Sequence, residues 1–222
     1  MSIAKVIEEI QVLQRNYDIV VIDDGSTDRT FETAAKTGVA VLRLPVNLGI
    51  GGAVQTGFRY ALRKKYDVVV QVDGDGQHDP KYIENLIEPI ESSKAGVVIG
   101  SRFLKATGYR STTTRRLGIL LFSLLNSWII GQKVTDNTAG FRAYNRKAFE
   151  YLAASYPPDY PEPESVVLLG RRGFRITEVP VDMRPRMGGK SSIRPTASIY
   201  YMLKVLLSIG VDLLKTNKEA QL

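Results

Sequence analysis

Asp73 and Asp75 stand one glycine apart in the stretch VVVQVDGDGQHDP, residues 68–80. Two carboxylates held that close repel each other unless a cation sits between them. Oxygen donors of this kind suit Mg²⁺ or Mn²⁺, which complete their shells with water and substrate phosphates. A polar turn closing a strand would use the same residues. An EF-hand loop would also place oxygens at Asp73, Asp75, Gln77, Asp79 and Glu84, but its sixth position is His78 instead of glycine, and the segment before it reads as a strand rather than a helix. His78 is the chain's one histidine; its place beside the acid pair makes it a candidate site residue, and its place in a loop equally suits a solvated side chain.

Two further loops carry the same kind of chemistry. IDDGSTD and NLGIGG each follow an apolar run, as DGDGQHD does. In parallel α/β sheets ligands bind beyond the carboxyl ends of the strands, and glycine turns that open helices favour anionic phosphate. Acidic side chains alone would repel that phosphate, so a bridging cation is required. Nucleotide plus metal accounts for all three loops together.

The elements that must hold these loops alternate between helix and strand periodicity, predicting an α/β fold with a largely parallel sheet. A helix is expected over Ser2–Arg15, strands over Asp18–Asp24, Val39–Leu44, Asp67–Asp73, Gly96–Ser101 and Phe174–Val181, and helices to Thr37, over Ile50–Lys65 and over Pro80–Glu91. The run Val68–Val70 reads as part of a strand buried on both faces. Asp79 and Pro80 suit the N-cap and first position of their helix. TDNTAGFRAYNRKAFEYL reads as a loop and short helix, and PPDYPEPE opens another helix to about Arg172. Residues 1–195 are expected to form one domain, followed by an apolar helix and tail over 196–222.

At 222 residues the chain can bury one substantial core, and 44% hydrophobic with 24% charged residues is the composition of an ordinary globular protein. The net charge of +7 suggests an anionic partner. Arg102 to Arg116 holds five basic residues and no acidic one. The uncharged run Leu117–Gln132, at 16 residues, falls short of a membrane span and suits a buried or interfacial helix. Without cysteine there is neither a disulfide framework nor a thiolate metal site. Nucleic acid is disfavoured, because the basic residues flank an acidic site that would repel a polyanion.

VIDDGSTDRT, VQVDGDGQHDP, TAGFRAYNR and RMGGKSS, in this order and spacing, resemble the inverting family-two glycosyltransferases of the GT-A (Rossmann-like) fold, nearest to their dolichyl- or polyprenyl-phosphate sugar synthase-like subgroup. The resemblance covers about Ser2 to Leu214. It implies that Asp23 or Asp24 contacts the base or ribose of a nucleotide sugar. Asp73 and Asp75 would hold Mg²⁺ or Mn²⁺ on its diphosphate, with Gln77 completing the shell. Arg186 and Lys190 would close over the diphosphate, and Arg102 with Arg115 or Arg116 would grip an acceptor phosphate. The family also begins with a strand and a loop, approximately IIPAYNEE, that this chain lacks ahead of its first helix; a strand there would lie centrally in the sheet, beside Asp18–Asp24.

The expected activity is transfer from a UDP- or GDP-sugar to a polyprenyl phosphate or cell-envelope glycan at the cytoplasmic face of the membrane, with peripheral attachment and self-association through the apolar helices. A lipid phosphate attacks without a base, whereas a sugar hydroxyl needs one, for which Glu162 and Glu164 are candidates with Asp136 behind them. As acids in a helix's first turn, Glu162 and Glu164 would serve equally as dipole partners. Two other classes stand beside this one. A non-catalytic remnant would bind membrane or a partner subunit, and a D-x-D phosphohydrolase would use its first aspartate as nucleophile but leave IDDGSTD unexplained.

Overall fold

The computed structural model describes residues 2–13, 15, 17–104, 123–158 and 161–186. Lys190, Arg115, Arg116 and the expected helix over 196–222 lie outside them. Helix α1 (Ser2–Gln11) is followed by β1 (Val20–Asp23), α2 (Thr30–Ala35), β2 (Ala40–Arg43), α3 (Gly49–Arg63) and β3 (Val68–Gln71). A 3-10 turn (Pro80–Tyr82) leads into α4 (Ile83–Glu91) and β4 (Val97–Ser101). Beyond these come α5 (residues 123–130), β5 (Arg142–Asn145), α6 (Arg146–Ser155), α7 (Pro161–Arg171) and β6 (Ile176–Pro180).

The α/β alternation is as the periodicity predicts, but the sheet is not largely parallel. Strands β1 and β2 pair in parallel as one sheet, and β3, β5, β4 and β6 form another in that order. There β5 runs antiparallel to both neighbours, while β4 and β6 are parallel. The expected loop in TAGFRAYNR therefore contains a strand. RAYN is four residues long, too short to show a period of its own, and it becomes a strand because β3 and β4 flank it on both edges. Val97, Val98 and Ile99 pair with Tyr144, Ala143 and Arg142, and β4 is buried along its whole length.

Strand β3 is only half-buried throughout, not enclosed on both faces as its β-branched run predicts. It is the edge of its sheet, with β5 its one ladder partner among the described residues. Helices cover both faces of the larger sheet. Phe58 of α3, Phe149 and Leu152 of α6, and Leu169 of α7 pack with Tyr144 and Val97 on one side. Val6 and Ile10 of α1 join Ile83, Leu86 and Ile90 of α4 on the other. Gly51, in the NLGIGG stretch and within the helix expected over Ile50–Lys65, lies inside α3, where a Cβ would come within 2.6 Å of the Pro157 and Pro158 carbonyl oxygens. Its missing side chain lets α3 approach the segment after α6.

Candidate active site

The acid pair follows directly from the end of β3. The ladder stops at Gln71, opposite Arg142, so the backbone of Asp73 must find its partner elsewhere. Its N–H donates to Nδ1 of His78 at 3.0 Å. Asp75 is held by its own turn, with the Gln77 N–H donating to its Oδ1 at 2.9 Å. Gly76, at φ +80°, supplies the left-handed residue this turn needs. Asp79 accepts from the Lys81 N–H and Pro80 follows, so the predicted cap is present, although its first turn is 3-10.

His78 is not a solvated loop residue. It is 2% exposed, its ring stacks on Phe141 at 4.8 Å between centroids, and its backbone forms an antiparallel bridge with Met183. Burial pushes its pKa down to about 4, with the Asp75 carboxylate opposing. The ring is therefore neutral near pH 7; because Nδ1 accepts, its proton lies on Nε2.

Arg186 comes to the pair from beyond β6. Its guanidinium stands 3.0 Å from Asp75 Oδ2 and donates to Gln77 Oε1 at 3.1 Å. Burial and the neighbouring Asp75 carboxylate push Asp73 up to about 6, with Arg186 opposing. Arg184, two residues earlier, pairs with Glu9 at 2.6 Å and Asp79 at 2.8 Å, tying the same segment to α1. Gly140 closes the other side: a Cβ there would sit 3.4–3.5 Å from both Asp73 carboxylate oxygens. Among the described residues no three His, Cys, Asp or Glu side chains converge as a ready-made metal cluster.

The PEPE acids open α7 as expected. Glu162 is half-buried and feels Asp73, and desolvation followed by that repulsion raises its pKa, against Arg142. Glu164 is buried. Arg142, which sequence reasoning did not single out, is 1% exposed. It donates to the carbonyl oxygens of Ala139, Asn137 and Glu162 and to the Ser165 hydroxyl, at 2.7–3.0 Å. It thereby fixes the segment before β5 to the start of α7 and lays a permanent positive charge beneath the acids. An arginine within a predicted loop gave no sign that it would be buried.

Arg102 and Asp136 form an ion pair with each other instead of serving separately as phosphate grip and base. Nε and one Nη of Arg102 donate to the two Asp136 oxygens at 2.7 and 2.6 Å, and both side chains are buried. Thr138 takes a further bond from the same guanidinium. Glu178 of β6 accepts from the N–H groups of Thr135 and Asp136, fixing this loop from below. Asp136 cannot act as a free base with both oxygens engaged.

At the end of β1, Asp23 is 2% exposed, with its carboxylate 3.3 Å from Arg43. Asp24 accepts the Leu48 N–H at 2.7 Å. Both acids thus also hold the loops that surround them.

Residues 2–152 match Glycosyl transferase family 2. The chain belongs to that family. It is 31% identical to a polyprenol monophosphomannose synthase of Mycolicibacterium smegmatis, covering 84% of this chain and 74% of that protein. Against an undecaprenyl-phosphate mannosyltransferase of Micrococcus luteus the identity is 33%, over 79% of this chain and 75% of that one. A glucosyl-3-phosphoglycerate synthase of Mycobacterium tuberculosis, crystallised with Mn²⁺, UDP and phosphoglyceric acid, shares the fold with a TM-score of 0.69 at 22% identity, covering 95% of this chain and 73% of that chain.

This glycosyltransferase carries a donor set that fits a divalent cation. Asp73, Asp75 and Gln77 offer oxygen atoms only, and Asp75 and Gln77 already share a cation in Arg186. Repulsion between the two aspartates is what such an ion relieves.

Proposed function

We propose that the protein is a metal-dependent inverting glycosyltransferase. It takes a sugar from a UDP- or GDP-sugar and passes it to a polyprenyl phosphate or cell-envelope glycan at the cytoplasmic face of the membrane. The observation that carries this reading is the meeting of Asp75, Gln77 and Arg186 beyond β3, with Asp73 near enough for its charge to feel both Asp75 and Arg186. The printed names of the relatives, polyprenol monophosphomannose synthase and undecaprenyl-phosphate mannosyltransferase, support the lipid phosphate as acceptor.

Asp73, Asp75 and Gln77 would hold Mg²⁺ or Mn²⁺. Such an ion, when bound, would supply the Lewis acidity that offsets charge on a diphosphate leaving group. Arg186 would bind that diphosphate, exchanging a carboxylate oxygen for a phosphate oxygen of the same charge sign. Buried Arg142 holds the start of α7 against the loop before β5, so that Glu162 keeps its place beside Asp73. A phosphate acceptor is already an anion and needs no proton removed. For a hydroxyl acceptor Glu162 takes the proton, and its raised pKa makes it a stronger base than an ordinary carboxylate. Asp23 or Asp24 reads the base or ribose, Lys190 joins Arg186 on the diphosphate, and Arg115 or Arg116 supplies the acceptor grip.

The test is calorimetric titration of UDP and of GDP with Mn²⁺ and then with EDTA. One nucleotide is expected to bind in Mn²⁺, to lose that binding in EDTA, and to lose it in Asp75→Ala. Binding of neither nucleotide to the folded protein would sink the proposal.

A further inference from the structure

We propose that His78 is a positioning residue for the cation site, fixing the backbone of Asp73 so that its carboxylate keeps its place near that of Asp75. The inference rests on the metal-binding reading above and adds a residue to it. A D-x-D pair with glycine in the middle has no stiffness of its own: Gly74 separates the acids and Gly76 follows them, and glycine restrains its neighbours least of all residues. The strand ladder has ended two residues before Asp73. One bond then sets the first aspartate, its N–H to His78 Nδ1 at 3.0 Å.

That acceptor is itself rigid. Stacking on Phe141, with 11° between planes, fixes the ring, and the Met183 bridge with the Arg184 N–H to the Gln77 carbonyl oxygen at 2.9 Å fixes its backbone. The remaining ring nitrogen, Nε2, lies 3.7 Å from Asp73 Oδ2, beyond hydrogen-bond length, so it leaves the carboxylate lone pairs for a ligand. His78 thus combines an acceptor for one N–H with no claim on the carboxylate. Outer contacts of this kind orient metal ligands, and their loss typically weakens metal binding about 10–100-fold.

A merely space-filling histidine would have the same burial and stacking, so the test must read metal affinity apart from stability. Mn²⁺ is titrated into wild type and variants at fixed UDP, with free Mn²⁺ followed by electron paramagnetic resonance and thermal unfolding measured alongside. His78→Asn retains an acceptor at the Nδ1 position and is expected to bind Mn²⁺ within about threefold of wild type. His78→Leu, which has none, and His78→Gln, which places its acceptor at the Nε2 position, are expected to bind at least about tenfold more weakly. If His78→Leu does not fold, the Asn and Gln variants carry the comparison. Wild-type affinity in the Leu and Gln variants would overturn the inference, as would equal weakening in all three. Failure of wild type itself to bind Mn²⁺ with UDP and, in the same titration, with GDP would overturn the proposed function, and this inference with it.

Discussion

Asp73 and His78 touch, and their protonation equilibria are displaced in opposite senses. The folded protein holds a proton on Asp73 up to about pH 6, against 3.8 for a free aspartate, and sheds the His78 proton down to about pH 4, against 6.5. Linkage gives the signs. Neutral burial of His78 costs stability as the pH falls from 6.5 toward 4, because the unfolded chain takes up the proton there. Asp73 acts the other way: between 3.8 and 6 its proton is bound more tightly when folded, so its contribution falls as the pH rises. The two slopes oppose each other from about pH 4 to 6. Asp73→Asn leaves the His78 slope alone, at most about 1.4 kcal/mol per pH unit. The Asp73 slope is smaller, since 39% of its side chain is open to water. Urea denaturation of wild type and Asp73→Asn between pH 4 and 6.5 should therefore give a steeper rise in stability with pH for the variant. Parallel profiles would show that the Asp73 shift is absent, and flat ones that the His78 shift is absent too.

At the scale of elements, the site depends on two ties across the sheet that no local pattern announced. Arg102 at the end of β4 anchors Asp136, ahead of β5, through a bidentate pair with both partners buried. Arg102→Met leaves the Asp136 carboxylate buried without its partner, and a loss of about 3–5 kcal/mol is expected in urea denaturation. Arg102→Met combined with Asp136→Asn should lose less than Arg102→Met alone, because no bare charge remains; a larger loss would mean that Arg102 stabilises the fold by packing. These ties also mark where sequence reading stops. The D-x-D turn, the Asp79–Pro80 start and the acid-opened α7 are local, and each is written within a few neighbouring residues. The burial of Arg142, the Arg102–Asp136 pair and the strand in RAYN depend on partners about 20 or more residues distant. Side-chain type and period carry no such information. Arg102 therefore read only as a phosphate grip beside Arg115 or Arg116, although its side chain is internal. His78 was ambiguous for the same reason, since Phe141 and Met183, which enclose it, come from the two later segments.

At the scale of the whole molecule, the same chemistry must meet its acceptor, and a lipid phosphate is presented at a membrane surface. Among the described residues no helix is long and apolar enough to cross a bilayer, and the proposed lipid acceptor calls for a contact surface. Helix α5 offers one: Leu124 and Trp128, four residues apart on one face, are 61% and 81% exposed. The opposite side of the helix packs inward, with Asn126 fully buried and Ile130 against Gly170. In sequence this helix follows the run from Arg102 to Arg116, with five basic residues and no acidic one. An exposed tryptophan on a helix that follows a basic run in sequence suits the headgroup layer of an anionic membrane. Trp128 is the only tryptophan in the chain, so its fluorescence reports on this face alone. Vesicles containing an acidic phospholipid should shift its emission to the blue, and raising the salt from about 0.1 to 1 M, which shortens the screening length from about 10 to 3 Å, should weaken the binding. Vesicles of neutral lipid should bind more weakly, and Leu124→Glu should abolish the shift on either, because a charge on the apolar face must then be desolvated. An unchanged spectrum with acidic vesicles would rule out this face as the attachment surface, leaving the active-site chemistry intact but placing its acceptor elsewhere.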